Sequence, residues 1–355
     1  MTPTYQAWQI HPVAATTDEK SPEVLQNLQI HTIPKPIPGP RQALVRIHAA
    51  SLNYRDLLTT AFSPKYPVPT VPGLSPCSDG AGSVEAVGEE SKWSPGDEVL
   101  FVLQNSWVDG DVSAFDFVTL GGGSTQGLLQ QYRLIDDALL VKKPKHLDWE
   151  EAAALAGAGA TAVNALFHSG VSSPGFDLSG KTVLTQGSGG VSCAAVQLAA
   201  AAGARVIATS SSEEKLKLLK GLGASDLINY QTHPEWADEV LKLTHGRGVD
   251  LVVDVAGAGT IEQSLRAVRQ GGTVVILGFL TESKTYDVVF PLILGAKIVR
   301  GLLVASSEMY KETVALAEKY KIVPYIGERF GWSQAREALS ALRSGKVVGK
   351  ITIKV

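Results

Sequence analysis

Cysteine is nearly absent from this chain. Cys77 and Cys193 are the only two in 355 residues, which excludes a disulfide framework and any metal site built from cysteine alone. A reducing compartment is the expectation. Cationic surplus is also missing: a net charge of −3 leaves nothing to neutralise a phosphate backbone, so no nucleic-acid partner is expected. Long unbroken apolar runs are lacking too. The most apolar stretches, residues 151–167 and 193–208, are rich in Ala and Gly and broken by turns, unlike a membrane span. The opening MTPTYQAWQIHPVAATTDEK has no apolar centre of the kind a secretory signal carries. These absences leave the expectation of a soluble, cytoplasmic protein without membrane attachment, with a small-molecule substrate still open to it.

What the chain has in quantity is glycine, 35 residues, clustered with alanine around residues 181–209. An apolar run at 182–185 predicts a buried strand. Gly187-Ser188-Gly189-Gly190 follows as a tight turn, then a small-residue helix from Val191 to about residue 202. Gly203 ends it, and Val206-Ile207-Ala208 begins a second strand. This is a βαβ unit with its glycines at the first strand-to-helix turn. Free N–H groups there can hold a pyrophosphate. The third position of the G-x-G-x-x-G pattern is Ser192. A glycine pattern alone is weak evidence; between a strand and a helix, with a second strand on schedule, it predicts a dinucleotide site. Gly187, Ser188, Gly189, Gly190 and Val191 are its candidate residues.

Hydrophobic residues make up 45% and charged residues 19%, enough to build two cores. Residues 1–150 show short β-like runs, such as 43–49 and 82–87, between Pro- and Gly-rich turns at 34–40 and 94–97. That predicts an irregular β-rich domain. Residues 100–116 and Gly121-Gly122-Gly123 read as a long loop, either bordering a substrate cleft or making an ordinary surface excursion. From 151 to 305, helices and strands alternate, with strands at 182–185, 206–208, 227–229, 250–255, 273–277 and 297–304. Such alternation requires a doubly wound parallel sheet covered by helices, an α/β fold. Residues 281–290 read as a loop. Helices at 308–320 and 333–344 and a strand at 347–355 form a tail expected to return and complete the first domain.

The run from Gly80 to Gly88 (GAGSVEAVG), then Pro95-Gly96-Asp97-Glu98-Val99, then the nucleotide domain and the short return, together resemble the medium-chain dehydrogenase/reductase superfamily over essentially the full length. Ser51-Leu52-Asn53-Tyr54-Arg55-Asp56 and the stretch from Gln186 to Ser192 resemble its zinc-free branch of quinone oxidoreductases and enoyl reductases. The resemblance implies a Rossmann domain (151–305) beside a GroES-like domain (1–150 completed by 306–355). It also implies a homodimer formed through the last nucleotide-domain strand, whose apolar edge would otherwise be open. Where zinc-dependent members carry their ligands, this chain has Asn53, the triplet Cys77-Ser78-Asp79 and Ala158. Neutral amide and hydroxyl groups do not supply the charge a tight zinc site needs, so no metal is expected. His48, His146, His168, His233 and His245 form no ligand spacing with one another.

The second strand ends Ala208-Thr209-Ser210-Ser211-Ser212, without the carboxylate that favours NAD at that place. The hydroxyls of Ser210 and Ser211 can donate to phosphate, and Ser212 sits at a helix N-cap. With Lys215 and Tyr230 at positions that contact the 2′-phosphate in zinc-free reductases, the resemblance implies NADPH in preference to NADH. Glu213-Glu214 stands against this, although acids also favour a helix start for its own sake. Gly257 and Gly278 follow strands at the crevice end of the sheet, and Thr161 is placed at the nicotinamide end.

Candidate catalytic residues are Asn53, which could hold the nicotinamide ribose or the substrate oxygen, Tyr54 and Tyr66. Either tyrosine could donate a proton, or be a packed aromatic with its hydroxyl satisfied. Arg55 and Asp56 could form a structural ion pair. The expected reaction is zinc-independent hydride transfer from NADPH to an enone, quinone or similar activated carbonyl compound. The alternatives are a metal-free NAD(P)-dependent alcohol dehydrogenase or carbonyl reductase, and a nucleotide-binding protein without turnover.

Overall fold

The strand Thr182–Gln186 is buried at every position and leads directly into the helix Gly190–Ala201. A computed structural model describes residues 3–281 and 285–355. The strand sits inside a six-stranded sheet ordered Asp226–Asn229, Arg205–Ser210, Thr182–Gln186, Val249–Asp254, Val268–Ile276, Ile298–Gly301. Every neighbouring pair is parallel. The order reverses beside Thr182–Gln186, which opens a crevice at the carboxyl ends of the strands. Leu184, Ile207, Val252, Leu265 and Val274 pack in one core cluster under it. This is the doubly wound sheet that the alternation predicts.

The chain divides into two compact units, residues 1–157 with 306–355, and residues 158–305. The boundary falls inside the helix Trp149–Phe167. The first unit is β-rich. Its long strand Gln42–Leu52 pairs antiparallel with Asp79–Val87, Tyr132–Asp136 and Lys350–Lys354. The last of these joins Ile326–Gly331 in parallel. Ile47, Leu57, Phe101, Leu128 and Ile353 share the core of this unit. The register Ile351↔Leu52 brings Lys350 to the end of the long strand.

Local signals missed three features. The antiparallel strands Thr4–Ile10 and Leu28–Pro34 are separated by a long connection, so no hairpin turn announces them. The helix Tyr54–Thr60 is only seven residues long. Residues 281–290, read as a loop, run into the helix Val289–Gly295, which has no capping side chain; residues 282–284 of that loop lie outside the described residues. Among the described residues, no helix is long and apolar enough to cross a membrane.

Candidate active site

The helix Tyr54–Thr60 begins where the long strand ends, and Asp56 builds the junction. Its Oδ2 accepts from Asn53 N at 2.7 Å and its Oδ1 from Cys77 N at 3.0 Å. One buried carboxylate therefore ties the helix start to the turn before the strand Asp79–Val87. Burial pushes Asp56 up to about 6, against the pull of Arg55 and the two backbone donors. Cys77 holds a left-handed backbone with φ 73° and is fully buried. Burial, then Asp56 and Asp79, push its thiol well up, so it is held as the neutral thiol.

Beside this junction lies a buried cation. Lys350 Nζ donates to Leu52 O at 2.8 Å, to Asn53 Oδ1 at 2.6 Å and to Asp79 Oδ2 at 3.2 Å. Both charged side chains are nearly inaccessible, 5% for Lys350 and 2% for Asp79. An ammonium has only donors, so the oxygen of the Asn53 amide must face it. The amide nitrogen then turns to Ser78 Oγ at 3.4 Å, and Ser78 Oγ donates to Asp79 Oδ1 at 3.1 Å. Gly157 leaves space for Asp79: a Cβ there would stand 2.6 Å from its Oδ1.

The candidate tyrosines separate. Tyr66 accepts a short hydrogen bond from Arg55 Nη2, which also donates to Thr119 Oγ1 at 2.7 Å, while Nη1 reaches Leu120 O at 2.7 Å. Gly122 makes this possible, since a Cβ at 122 would land on both Tyr66 Oη and Arg55 Nη2. Tyr54 instead points to Glu19 Oε1 at 3.4 Å. That carboxylate also accepts from Lys65 at 2.5 Å and Ser63 at 3.2 Å. Burial, then Glu19, raise the Tyr54 phenol. The Arg55–Asp56 ion pair considered from the sequence is replaced by these separate partners. Asp56 spends both oxygens on backbone donors, which frees Arg55 for Tyr66. Lys350 and Tyr310 carried no sequence motif, and Asp79 entered only through the triplet that stands where zinc-dependent members carry a ligand. Tyr310 is buried with Asp79 and Arg55 among its electrostatic neighbours, and burial drives its phenol up.

In the other unit, Gly187 takes φ 73°, and its N–H donates to Thr209 O at 2.8 Å. Ser192 closes the turn by donating its hydroxyl to Gln186 O at 2.7 Å. A serine at the third position of the glycine pattern thus has a defined bond. Gly189 is the N-cap of the following helix, and a Cβ there would meet nothing within 4 Å. The helix N-terminus thus starts at a glycine with open space beside it, and the first N–H groups of a helix have no partner within it, the chemistry a pyrophosphate needs. Ser188 is buried in the turn, and Val191, the second residue of the helix, is half-buried.

Ser210, buried, ends the second strand, and its carbonyl accepts from Tyr230 N at 3.1 Å. Ser212 caps the next helix by accepting from Lys215 N at 3.4 Å. These contacts bring Ser210, Ser211, Lys215 and Tyr230 to one end of the sheet. Glu213 turns to the neighbouring strand, where its carboxylate accepts from Asn229 Nδ2 at 2.8 Å. Gly257 and Gly278 pack backbone to backbone: a Cβ on Gly257 would stand 2.6 Å from Gly278 O. Asp254, which sequence reading passed over, anchors that loop. It accepts from Gly257 N at 2.8 Å and from Ser264 Oγ at 2.7 Å, and Ser264 in turn accepts from Gln186 Nε2 at 2.8 Å. Thr161 lies on the Trp149–Phe167 helix and is 8% exposed.

Comparison with known proteins matches residues 39–145 to the alcohol dehydrogenase GroES-like domain and residues 190–319 to the zinc-binding dehydrogenase family. A zinc-type alcohol dehydrogenase-like protein of Schizosaccharomyces pombe is 37% identical over 322 residues, covering 89% of this chain and 92% of that protein. A 2-methylene-furan-3-one reductase of Solanum lycopersicum is 34% identical over 320 residues, covering 88% and 71%. The crystal structure of an NAD-dependent alcohol dehydrogenase is similar with a TM-score of 0.83 at 31% identity, covering 99% of each chain.

Proposed function

The chain belongs to the medium-chain dehydrogenase/reductase superfamily and is an NAD(P)-dependent oxidoreductase, and from that premise we propose that it reduces enones, quinones or similar activated carbonyl compounds with NADPH and without zinc. The observation that carries this reading is the donor set at Asn53, Cys77, Ser78 and Asp79. A zinc ion needs thiolate, imidazole or carboxylate ligands. Cys77 supplies the one thiol of the set, the amide and hydroxyl are neutral, and the one carboxylate is already paired with Lys350. These residues do not fit the metal that the family name implies. Among the described residues, no group of three or more His, Cys, Asp or Glu side chains comes together as a metal site.

Bound NADPH supplies the hydride. The chain's own task is to stabilise the negative charge that develops on the substrate oxygen and to deliver a proton. An activated alkene or quinone needs only hydrogen-bond donors for this, whereas a simple ketone needs stronger polarisation. The Asn53 amide nitrogen is the donor assigned to the oxygen. Tyr66, with Arg55 donating to its oxygen, keeps its own hydroxyl proton for delivery, and Tyr54 is left in a structural contact with Glu19. The preference for NADPH rests on Ser210, Ser211 and Lys215 at the end of the second strand, and on Glu213, which is held by Asn229 and does not stand as a ribose acceptor. Turnover of a panel of enones, quinones and saturated ketones with NADPH and with NADH tests the reading, alongside metal analysis. Reduction of enones with NADPH by metal-free protein is expected. Ketone reduction dependent on one bound zinc per chain would overturn it.

The proposal includes a cytoplasmic homodimer. The strand Ile298–Gly301 is an open sheet edge, and the preceding helix Val289–Gly295 exposes Phe290, Ile293 and Leu294 at 68%, 72% and 63%. An apolar patch beside an unpaired edge is a surface that a second copy covers.

A further inference from the structure

The proposed reaction asks Asn53 to present its amide nitrogen, yet an asparagine amide has no intrinsic preference between its two orientations. Something must break that symmetry. Lys350 does so, because its ammonium can only donate and lies 2.6 Å from Asn53 Oδ1. Resting on that reading of Asn53, we propose that Lys350 is a positioning residue: a built-in cation that holds the oxygen of the Asn53 amide and so keeps its nitrogen on the Ser78 side, where the long 3.4 Å contact to Ser78 Oγ is the one a substrate oxygen would replace.

Three features of the site support a role beyond neutralising Asp79. The Lys350–Asp79 contact, 3.2 Å, is the longest of the three that the ammonium makes. The two shorter contacts both go to the Leu52–Asn53 step, where the long strand gives way to the helix. The lysine also comes from the far end of the chain, on a strand whose next residue, Ile351, pairs with Leu52 and which pairs through Lys350 itself with Ile326. A cation carried on a strand keeps its aim better than one on a loop. The charge is confined too, since neither Lys350 nor Asp79 meets solvent appreciably. The cluster thus places the positive end of a buried ion pair next to the amide assigned to the substrate oxygen.

A double-variant cycle separates positioning from charge balance. Wild type, Lys350→Met, Asp79→Asn and the double variant are compared for kcat and KM with NADPH and cyclohex-2-enone, for NADPH affinity by fluorescence titration, and for melting temperature. Lys350→Met leaves Asp79 charged and unpaired, so it is expected to lower the melting temperature. It should also lower kcat on the order of ten- to a hundredfold, the scale of a misplaced catalytic group, with NADPH affinity unchanged. The double variant removes both charges. Recovery of melting temperature without recovery of kcat is the expected result. Recovery of both would reduce Lys350 to a counter-ion and overturn the proposal.

A second measurement stands apart from turnover, so that failure of the proposed reaction and failure of this inference can be told apart. Wild type inactive on every substrate would defeat the reaction, and the lysine role would then be decided by nitrogen NMR on protein labelled at lysine. A slowly exchanging ammonium signal is expected, lost in Lys350→Arg and displaced in Asn53→Ala. A Lys350 ammonium that exchanges as fast as surface lysines, or is unmoved by Asn53→Ala, would overturn the inference.

Discussion

Asp56 gives the sharpest quantitative test of how the site is built. Its carboxylate has no exposure, and burial raises it from the ordinary 3.8 to about 6. The folded chain therefore holds a proton on Asp56 over a range of pH in which the unfolded chain has lost it. Stability supplied by the neutral carboxyl is complete below the unfolded value, declines as pH rises, and is gone above the folded value. A displacement of roughly two pH units at about 1.4 kcal/mol each makes the whole effect about 3 kcal/mol. About 2 kcal/mol of it falls between roughly pH 4.5 and pH 7.5.

The perturbation is Asp56→Asn, which cannot titrate. It also leaves one of the two backbone donors, Asn53 N or Cys77 N, facing an amide nitrogen. That costs about 1–3 kcal/mol at every pH, so the variant is less stable throughout. The informative quantity is the slope. Urea unfolding followed by tryptophan fluorescence, run on both proteins across that range, should show the advantage of wild type shrinking by about 2 kcal/mol as pH rises. An advantage that stays constant or grows with pH would refute the claim that Asp56 is buried at cost to hold the helix start against Cys77.

Tyr66→Phe should lower kcat about a hundredfold, the lower range for loss of a general acid, without changing NADPH affinity; an unchanged kcat would remove Tyr66 from proton delivery. Lys215→Ala should raise the KM for NADPH about tenfold, the scale of one charge-assisted hydrogen bond, and leave that for NADH unmoved; equal losses with both cofactors would argue against a 2′-phosphate contact. Ile293→Glu, on the exposed face of the Val289–Gly295 helix, should convert a dimer to a monomer in light scattering; a dimer that survives the substitution would place the interface elsewhere.

Periodicity made the nucleotide-binding sheet legible, because most of its strands are short apolar runs followed by a helix that a glycine or a polar residue begins or ends. The same rules located the glycine turn and the absence of a carboxylate after Thr209. They did not reach the Thr4–Ile10 and Leu28–Pro34 pair, whose partners are far apart in sequence, nor the helix Val289–Gly295, whose apolar residues face outward. Sequence reading named Asn53, Tyr54 and Tyr66 as one group of candidates. It had no means of sending Tyr54 to Glu19 and Tyr66 to Arg55, since side-chain direction at a strand-to-helix junction depends on what packs against it.

By itself, then, the sequence determined the class of fold and the place of the glycine turn between the strand Thr182–Gln186 and the helix Gly190–Ala201. These are local matters of residue type and spacing. Only the tertiary structure decided that Lys350, nearly three hundred positions away along the chain, lies against Asn53 and Asp79. The physical reason is register: antiparallel pairing of the final strand with Gln42–Leu52 sets which lysine is buried, and no local pattern around Lys350 records it.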